Sequence, residues 1–73
     1  MPADVKIRVV LEYLAEPHTR ADLRERFELS NTQSWHLVRW LKKNRCIETE
    51  TKVINGNACE VHRVSKTAWD GLQ

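Results

Sequence analysis

The most constraining feature of the sequence is a pair of helix-start signals that lie close together. Thr19 is followed three residues later by Asp22. Ser30 is followed in the same way by Gln33. In each pair the first hydroxyl can accept from a backbone N–H while the later side chain reaches back to the first N–H, which forms a capping box. The sequence therefore predicts two short helices joined by a turn of about three residues, 28–30.

The second of these helices is predicted to have one apolar and one polar side. On a helical wheel with about 100° per residue, one side carries the residues expected to face a core: Ser34, Leu37, Val38, Leu41 and the stem of Arg45. The other side carries hydrogen-bond donors and cations: Thr32, His36, Arg39 and Lys43. Such a polar side suits the major groove of DNA, but any solvated amphipathic helix can show the same pattern.

A set of apolar and capping residues spans both predicted helices: Thr19, Leu23, Phe27, Leu29, Ser30, Val38, Leu41 and Ile47. Their spacing resembles that of winged helix-turn-helix transcriptional regulators of bacteria and phages. The resemblance implies an α+β fold of three helices followed by a two-stranded β-hairpin wing, with the second capped helix as the recognition helix. It also implies sequence-specific binding of double-stranded DNA by a small, repressor-like regulator. A phage or other mobile-element origin is consistent with the short chain of 73 residues.

The resemblance assigns most of the DNA contacts to the recognition helix. Residues expected near bases are Asn31, Thr32, Trp35, His36 and Arg39, and residues expected to hold phosphates are Arg20, Lys42 and Lys43. Residues 20–45 hold seven Lys or Arg against three acids, whereas the formal net charge of the whole chain is only +2. This local excess favours phosphate binding, although a solvated surface can carry a similar excess without binding DNA.

Two tryptophans flank the polar side of the recognition helix. Trp35 is expected either to contact a thymine methyl or sugar, or to pack on the preceding helix. Trp40 is expected to lean on the first helix or on the hairpin. At the end of the recognition helix, Asn44 is expected to supply the left-handed residue that glycine commonly provides.

After the recognition helix the pattern changes from a period of about 3.6 residues to a period of about 2. Residues 47–54 and 58–64 are predicted strands, and the Asn-Gly-Asn sequence between them is a strong hairpin signal. A two-residue turn would pair Ile54 with Asn57, whereas a three-residue loop would pair Ile54 with Ala58. We favour the three-residue loop because it gathers one set of residues on a single face: Ile47, Thr49, Thr51, Val53, Cys59 and Val61.

The predicted wing carries few cations. Its acids, Glu48, Glu50 and Glu60, outnumber Lys52 and Arg63. Lys52 and Asn55 are the residues through which the wing is expected to reach the minor groove or the DNA backbone. A wing that is mainly structural, or that forms part of a dimer surface, is an open alternative.

A first helix is predicted over residues 4–15, with Asp4 as its cap and an end before Pro17. Its core-facing stripe is Ile7, Val10, Leu11 and Leu14. The chain is predicted to form one domain, 1–73, with a core over 1–64 and a C-terminal tail, 65–73, that is too short to fold alone. Val5, Val9 and Trp69 are apolar residues beyond what the stripe needs, so we expect them at a homodimer interface.

Other classes of function lack their sequence signals. Gly56 and Gly71 are the only glycines, so the chain has no glycine-rich phosphate loop, and with no catalytic motif present we do not expect an enzyme. Cys46 and Cys59 have no CxxC partner and are expected to be buried as small apolar residues, so no metal or other cofactor is expected. No apolar run approaches about 18 residues, and no secretory signal is recognised. We therefore expect a cytoplasmic protein without a membrane segment, and no small-molecule effector is evident.

Two other functions are compatible with the same fold. A protein-interaction module would use the apolar flank and the acidic wing, and the low net charge of +2 favours it. An RNA-binding winged helix would stack unpaired bases on Trp35 or Trp40.

Overall fold

The computed structural model describes residues 6–72, which form four helices and one antiparallel hairpin. The helices are α1 (Ile7–Tyr13), α2 (Arg20–Arg26), α3 (Asn31–Lys43) and α4 (Lys66–Leu72). The hairpin strands β1 (Ile47–Ile54) and β2 (Asn57–Val64) lie between α3 and α4 in the chain. The fold is therefore α+β, and its element order is compatible with the layout of a winged helix.

Both predicted capping boxes are confirmed. The Thr19 hydroxyl accepts from the Asp22 N–H at 3.1 Å, and the Asp22 carboxylate accepts from the Thr19 N–H at 3.0 Å. This backbone hydrogen bond holds the pKa of Asp22 below its usual range. The Ser30 hydroxyl accepts from the Gln33 N–H at 3.1 Å, and the Gln33 side chain accepts from the Ser30 N–H at 2.9 Å. The starts of α2 and α3 are thus fixed by contacts within one turn of each helix.

The ends of α2 and α3 are Schellman motifs with a charged residue in the left-handed position. Glu28 has a φ of 52° and Arg45 has a φ of 57°. After α3, the Arg45 N–H bonds to the carbonyl of Lys42 and the Cys46 N–H bonds to that of Leu41. The prediction that Asn44 would be left-handed is wrong, because its φ is −91°. Asn44 instead donates a hydrogen bond from its side-chain amide to the Trp40 carbonyl at 2.8 Å. The left-handed residue that ends α3 is the next one, Arg45.

Helix α1 is shorter than predicted, and it ends at Tyr13 rather than at residue 15. The predicted cap, Asp4, lies outside the described residues. Beyond α1 the chain turns so that His18 pairs with His62 on β2, with N–H to carbonyl distances of 2.9 and 2.7 Å. Because this backbone pairing needs extended geometry close after the helix, and Pro17 disfavours helical backbone before it, α1 ends early.

The hairpin has the two-residue turn, so the register that we favoured on burial is wrong. Ile54 pairs with Asn57. Asn55 and Gly56 have φ values of 52° and 80°, as expected of a type I′ turn. The three-residue loop is not needed to bury this end of the hairpin. His62, which is 3% exposed, takes the inner position opposite Thr49, and Val61 is buried on the other face of the strand.

One apolar core lies between the helices and the base of the hairpin. Its buried members are Val10, Leu11, Leu14, Leu23, Leu37, Val38, Leu41, Ile47 and Val64. The predicted inner side of α3 is confirmed for Ser34, Leu37, Val38 and Leu41, which are all buried. It is wrong for Arg45, which lies beyond the end of the helix and is exposed. Trp40 packs against this core and is half-buried.

The predicted C-terminal tail is a helix, so the expectation of only three helices is wrong. The Ser65 hydroxyl donates to the Arg45 carbonyl at 2.9 Å and accepts from the Ala68 N–H at 3.1 Å. Ala68 and Leu72 of α4 pack against the core. A seven-residue helix is too short to be stable alone, so this cap and this packing are what hold it. None of the helices in residues 6–72 is long and apolar enough to cross a membrane.

Candidate nucleic-acid interface

The polar side of α3 is open to solvent along the whole helix. The predicted base-contacting residues are all exposed: Asn31, Thr32, Trp35, His36 and Arg39. Lys43, predicted to hold a phosphate, is exposed on the last turn. This side faces away from Leu37 and Leu41, which are fully buried. The structure therefore brings most of the predicted contacts onto one accessible surface.

A groove runs between α3, the start of α2 and strand β2. Its charged, aromatic and imidazole residues include Arg20, Trp35, Arg39, Lys42, Glu60 and His62. Three of these are cations and only Glu60 is an acid, so the groove has a positive balance. It borders the exposed side of α3, so a ligand on that side would also meet the groove.

Arg20, predicted to hold a phosphate, bonds to the start of α3. Its guanidinium Nη1 donates to the Asn31 side-chain oxygen at 2.7 Å and to the Ser34 hydroxyl at 2.9 Å. The same nitrogen lies 3.3 Å from the Asn31 carbonyl. Arg20 therefore ties α2 to α3, and it binds the side-chain oxygen of Asn31, a residue predicted to lie near bases.

Ser34 explains why the arginine is held there. Its side chain is fully buried, and its hydroxyl also donates to the Asn31 carbonyl at 2.8 Å. A buried hydroxyl needs partners for both its proton and its lone pairs. The sequence signal that could have revealed this contact was a serine at an inner position of α3, where an apolar residue commonly packs.

Lys42 lies against the wing. Its ammonium nitrogen is 3.6 Å from the Glu60 carboxylate on β2, and both side chains are about half-exposed. An exposed pair of this kind contributes little to stability. Its effect is on charge, because Glu60 partly neutralises a lysine that was predicted to hold a phosphate.

His62 was not singled out from the sequence, yet it lines the groove. Its Nδ1 is 2.9 Å from the Thr49 hydroxyl. Burial lowers the pKa of His62 below its ordinary value, and the nearby Lys42 lowers it further. The imidazole therefore favours its neutral form more than an exposed histidine does, and it connects the two strands through its contact with Thr49.

Trp35 and Arg39 form an exposed pair. Trp35 is 51% exposed, and the Arg39 guanidinium carbon lies 5.4 Å from the centroid of its ring. Since about half of the residue is open to solvent, packing on α2 does not cover it. The pair places an aromatic face and a planar cation side by side at the edge of the groove.

Two apolar side chains are exposed near the tip of the hairpin. Val53 is 75% exposed and Ile54 is 42% exposed. Lys52 and Asn55, the predicted wing contacts, are also exposed beside them. Among the acids, Glu60 contacts Lys42 and Glu48 lies opposite Arg63 across the hairpin. The wing therefore presents one lysine, amide groups and two apolar side chains near its tip.

The predicted dimer residues lie away from the groove, on other helices. Val9 on α1 is 40% exposed and Trp69 on α4 is 37% exposed. The two helices are in contact, and the Arg8 guanidinium donates to the Leu72 carbonyl at 3.3 Å. Val5 lies outside the described residues.

In the part of the chain that the structure describes, no group of three or more His, Cys, Asp or Glu side chains is placed to hold a metal ion. Cys46 and Cys59 are both free thiols, and they are half-buried rather than fully buried as predicted. Burial raises the pKa of the Cys46 thiol. Neither thiol is therefore placed in a ligand set.

No known protein family, curated protein or solved structure matches this chain. The function must therefore be argued from the arrangement of its own residues.

Proposed function

We propose that the protein is a winged helix-turn-helix domain that binds double-stranded DNA and acts as a small transcriptional regulator. The observation that carries the proposal is the exposed polar side of α3, which has its cations and aromatic residues beside a groove and a projecting hairpin. A recognition helix enters the major groove with such a side, while an adjacent wing follows the DNA backbone. The mechanism is occupancy of a site rather than catalysis.

In this proposal the roles of the predicted contacts are divided by their surroundings. Thr32, Trp35, His36 and Arg39 are exposed and meet base edges in the major groove. Lys43 holds a phosphate, as does Lys52 on the wing, and Asn55 reaches the backbone through its amide. Arg20, Asn31 and Lys42 have partners within the fold, so they support the interface and contribute less direct binding.

The proposed regulator acts as a homodimer, because one recognition helix reads only a few base pairs. Val9 and Trp69 are exposed apolar residues on two adjacent helices away from α3. A two-fold contact there leaves both recognition helices free to reach half-sites about 34 Å apart. Sedimentation of the full chain should show a dimer that Trp69→Ala weakens, and a monomer both free and on DNA would contradict this arrangement.

A binding titration tests the proposed DNA function. Labelled random duplex DNA and single-stranded RNA would be titrated with the full chain at about 50 and 200 mM salt. We expect duplex binding that weakens steeply with salt. Lys43→Ala should make the salt dependence shallower by about one unit of slope. Lys66→Ala, an exposed lysine on α4, is the matched control and should change neither affinity nor slope. Preference for RNA, or no binding to either nucleic acid, would refute the proposal.

A second candidate function is supported by the wing tip. Val53 and Ile54 are exposed apolar side chains at a point where a purely DNA-binding wing would profit from cations. A protein-interaction module would bury both of them against a partner. Titration of the parent chain with duplex DNA distinguishes the two functions, because a protein-interaction module should show no salt-dependent duplex binding.

A further inference from the structure

Arg39 is an exposed arginine whose guanidinium lies beside an aromatic ring rather than beside an acidic side chain. Its guanidinium carbon lies 5.4 Å from the centroid of the Trp35 indole. The two residues are four positions apart on α3, so the helix itself keeps them adjacent. Within residues 6–72, Arg39 has no ion pair and no side-chain hydrogen bond. Its donors are therefore available while an aromatic ring lies beside its guanidinium.

An arginine in this condition is suited to reading guanine. The planar guanidinium can donate two hydrogen bonds to the O6 and N7 atoms that guanine presents in the major groove. Arginine normally loses rotamer freedom when it forms this contact, and a supporting aromatic face reduces that loss before binding. Because the indole lies on one side of the Arg39 guanidinium, the other side is the one left to meet the neighbouring base pair.

The neighbouring base then also contributes to recognition. When a guanidinium lies in the plane of a guanine, the pyrimidine on the 5′ side of that guanine is stacked above it and directs its C5 position toward the guanidinium face. Thymine carries a methyl group there, which is the one apolar group on the major-groove edge of the bases. We propose that Trp35 and Arg39 act as one unit that reads a thymine-guanine step, 5′-TpG-3′, in the major groove. This inference rests on the proposed DNA-binding function.

Modified DNA tests the inference without altering the protein. Duplexes would first be selected from a random pool with the full chain, and we expect the enriched sequences to share a TpG step. Replacing that thymine by deoxyuridine removes only the methyl group and should weaken binding about fourfold, the equivalent of one buried CH₂ group. Replacing the guanine by 7-deazaguanine removes N7 and should weaken binding about fivefold or more. Fluorescence anisotropy would measure each affinity.

Protein variants then test whether the two residues act together. Trp35→Ala should bring the thymine-to-deoxyuridine affinity ratio close to one, because the arginine is no longer held against the step. Arg39→Lys keeps the charge and can still donate to guanine N7, but it lacks the planar guanidinium face, so it should lose the thymine-to-deoxyuridine difference while retaining salt-dependent binding. Lys43→Ala is the control, since it should weaken binding to all these duplexes alike. Both residues of the pair are exposed, and thermal melting of each variant would confirm that it is folded.

The possible results separate this inference from the function on which it rests. Equal affinity for the thymine and deoxyuridine duplexes, with tight binding to the selected site, would overturn the TpG inference and leave DNA binding intact. A thymine preference that survives Trp35→Ala would overturn the role of the tryptophan. Failure to enrich any duplex at either salt concentration would overturn both the inference and the proposed function.

Discussion

Arg20 is the residue of the candidate interface at which an experiment can best separate a structural role from a DNA-binding role. The sequence predicted that it holds a phosphate, whereas its Nη1 atom donates to Asn31 and Ser34 at 2.7 and 2.9 Å. If these bonds are its main role, Arg20→Ala should destabilise the fold, because it removes the link between α2 and α3 and leaves the buried Ser34 hydroxyl without this donor.

The magnitude follows from the two short bonds. A hydrogen bond to a charged group contributes about 1.5 to 3 kcal/mol when it is well buried. Arg20 is only half-buried, so water replaces part of each bond and the expected loss is about 1 to 2 kcal/mol for the pair. For a domain of this size that corresponds to a fall in melting temperature of about 4 to 8 °C for each kcal/mol.

Thermal and urea unfolding, together with duplex titrations, would measure both roles. Arg24→Ala is the matched control, because Arg24 is an exposed arginine on the same helix, and we expect its unfolding free energy to stay within about 0.5 kcal/mol of the parent. An Arg20→Ala chain with parental stability and a salt slope reduced by about one unit would refute the structural role and restore the phosphate contact.

Four further predictions concern the core, the end of α3, the groove and pH. Leu41→Ala, at a fully buried position, should lower the free energy of unfolding by about 2 to 5 kcal/mol. A parental midpoint in urea unfolding would show that Leu41 does not face the core. Arg45→Gly should stabilise the fold by about 0.5 to 1 kcal/mol because Arg45 is left-handed, whereas Asn44→Gly should not. Glu60→Gln removes the acid from the groove and should raise duplex affinity in anisotropy titrations. An unchanged affinity would show that DNA does not contact the groove. Burial holds the pKa of His62 below the ordinary 6.5. As the pH falls below 6.5, the unfolded chain therefore binds a proton at this residue more readily than the folded chain does, and the free energy of unfolding falls. Urea unfolding from about pH 7.5 to about pH 5 should show this fall in the parent chain and a smaller one in His62→Gln.

The sequence by itself was sufficient for the starts of α2 and α3 and for the inner and outer sides of α3. Both features are local. A capping box joins residues three positions apart, as Ser30 and Gln33 show, and the sides of a helix follow from its period. The exposed residues of the candidate interface, such as Arg39, followed from the same period.

Tertiary structure decided the features that depend on partners far away in the chain. The sequence predicts Arg20 at a phosphate because a serine at an inner position of α3 indicates a buried hydroxyl but not which distant side chain donates to it. Helix α4 forms where a loose tail was expected, because Ser65 bonds to the Arg45 carbonyl and caps the helix at the same time. In both cases a side chain meets a group on another element, and sequence spacing carries no measure of that distance.

The hairpin depends both on local turn geometry and on contacts with distant residues. The Asn55-Gly56 turn is favoured locally, and it is the turn that forms. The prediction set it aside because it appeared to leave apolar residues unburied, but His62 fills the inner position by bonding to Thr49 and pairing with His18. Local backbone energies thus determined the turn and the capped helix starts, whereas burial of a polar side chain could be judged only from the tertiary contacts that satisfy its hydrogen bonds.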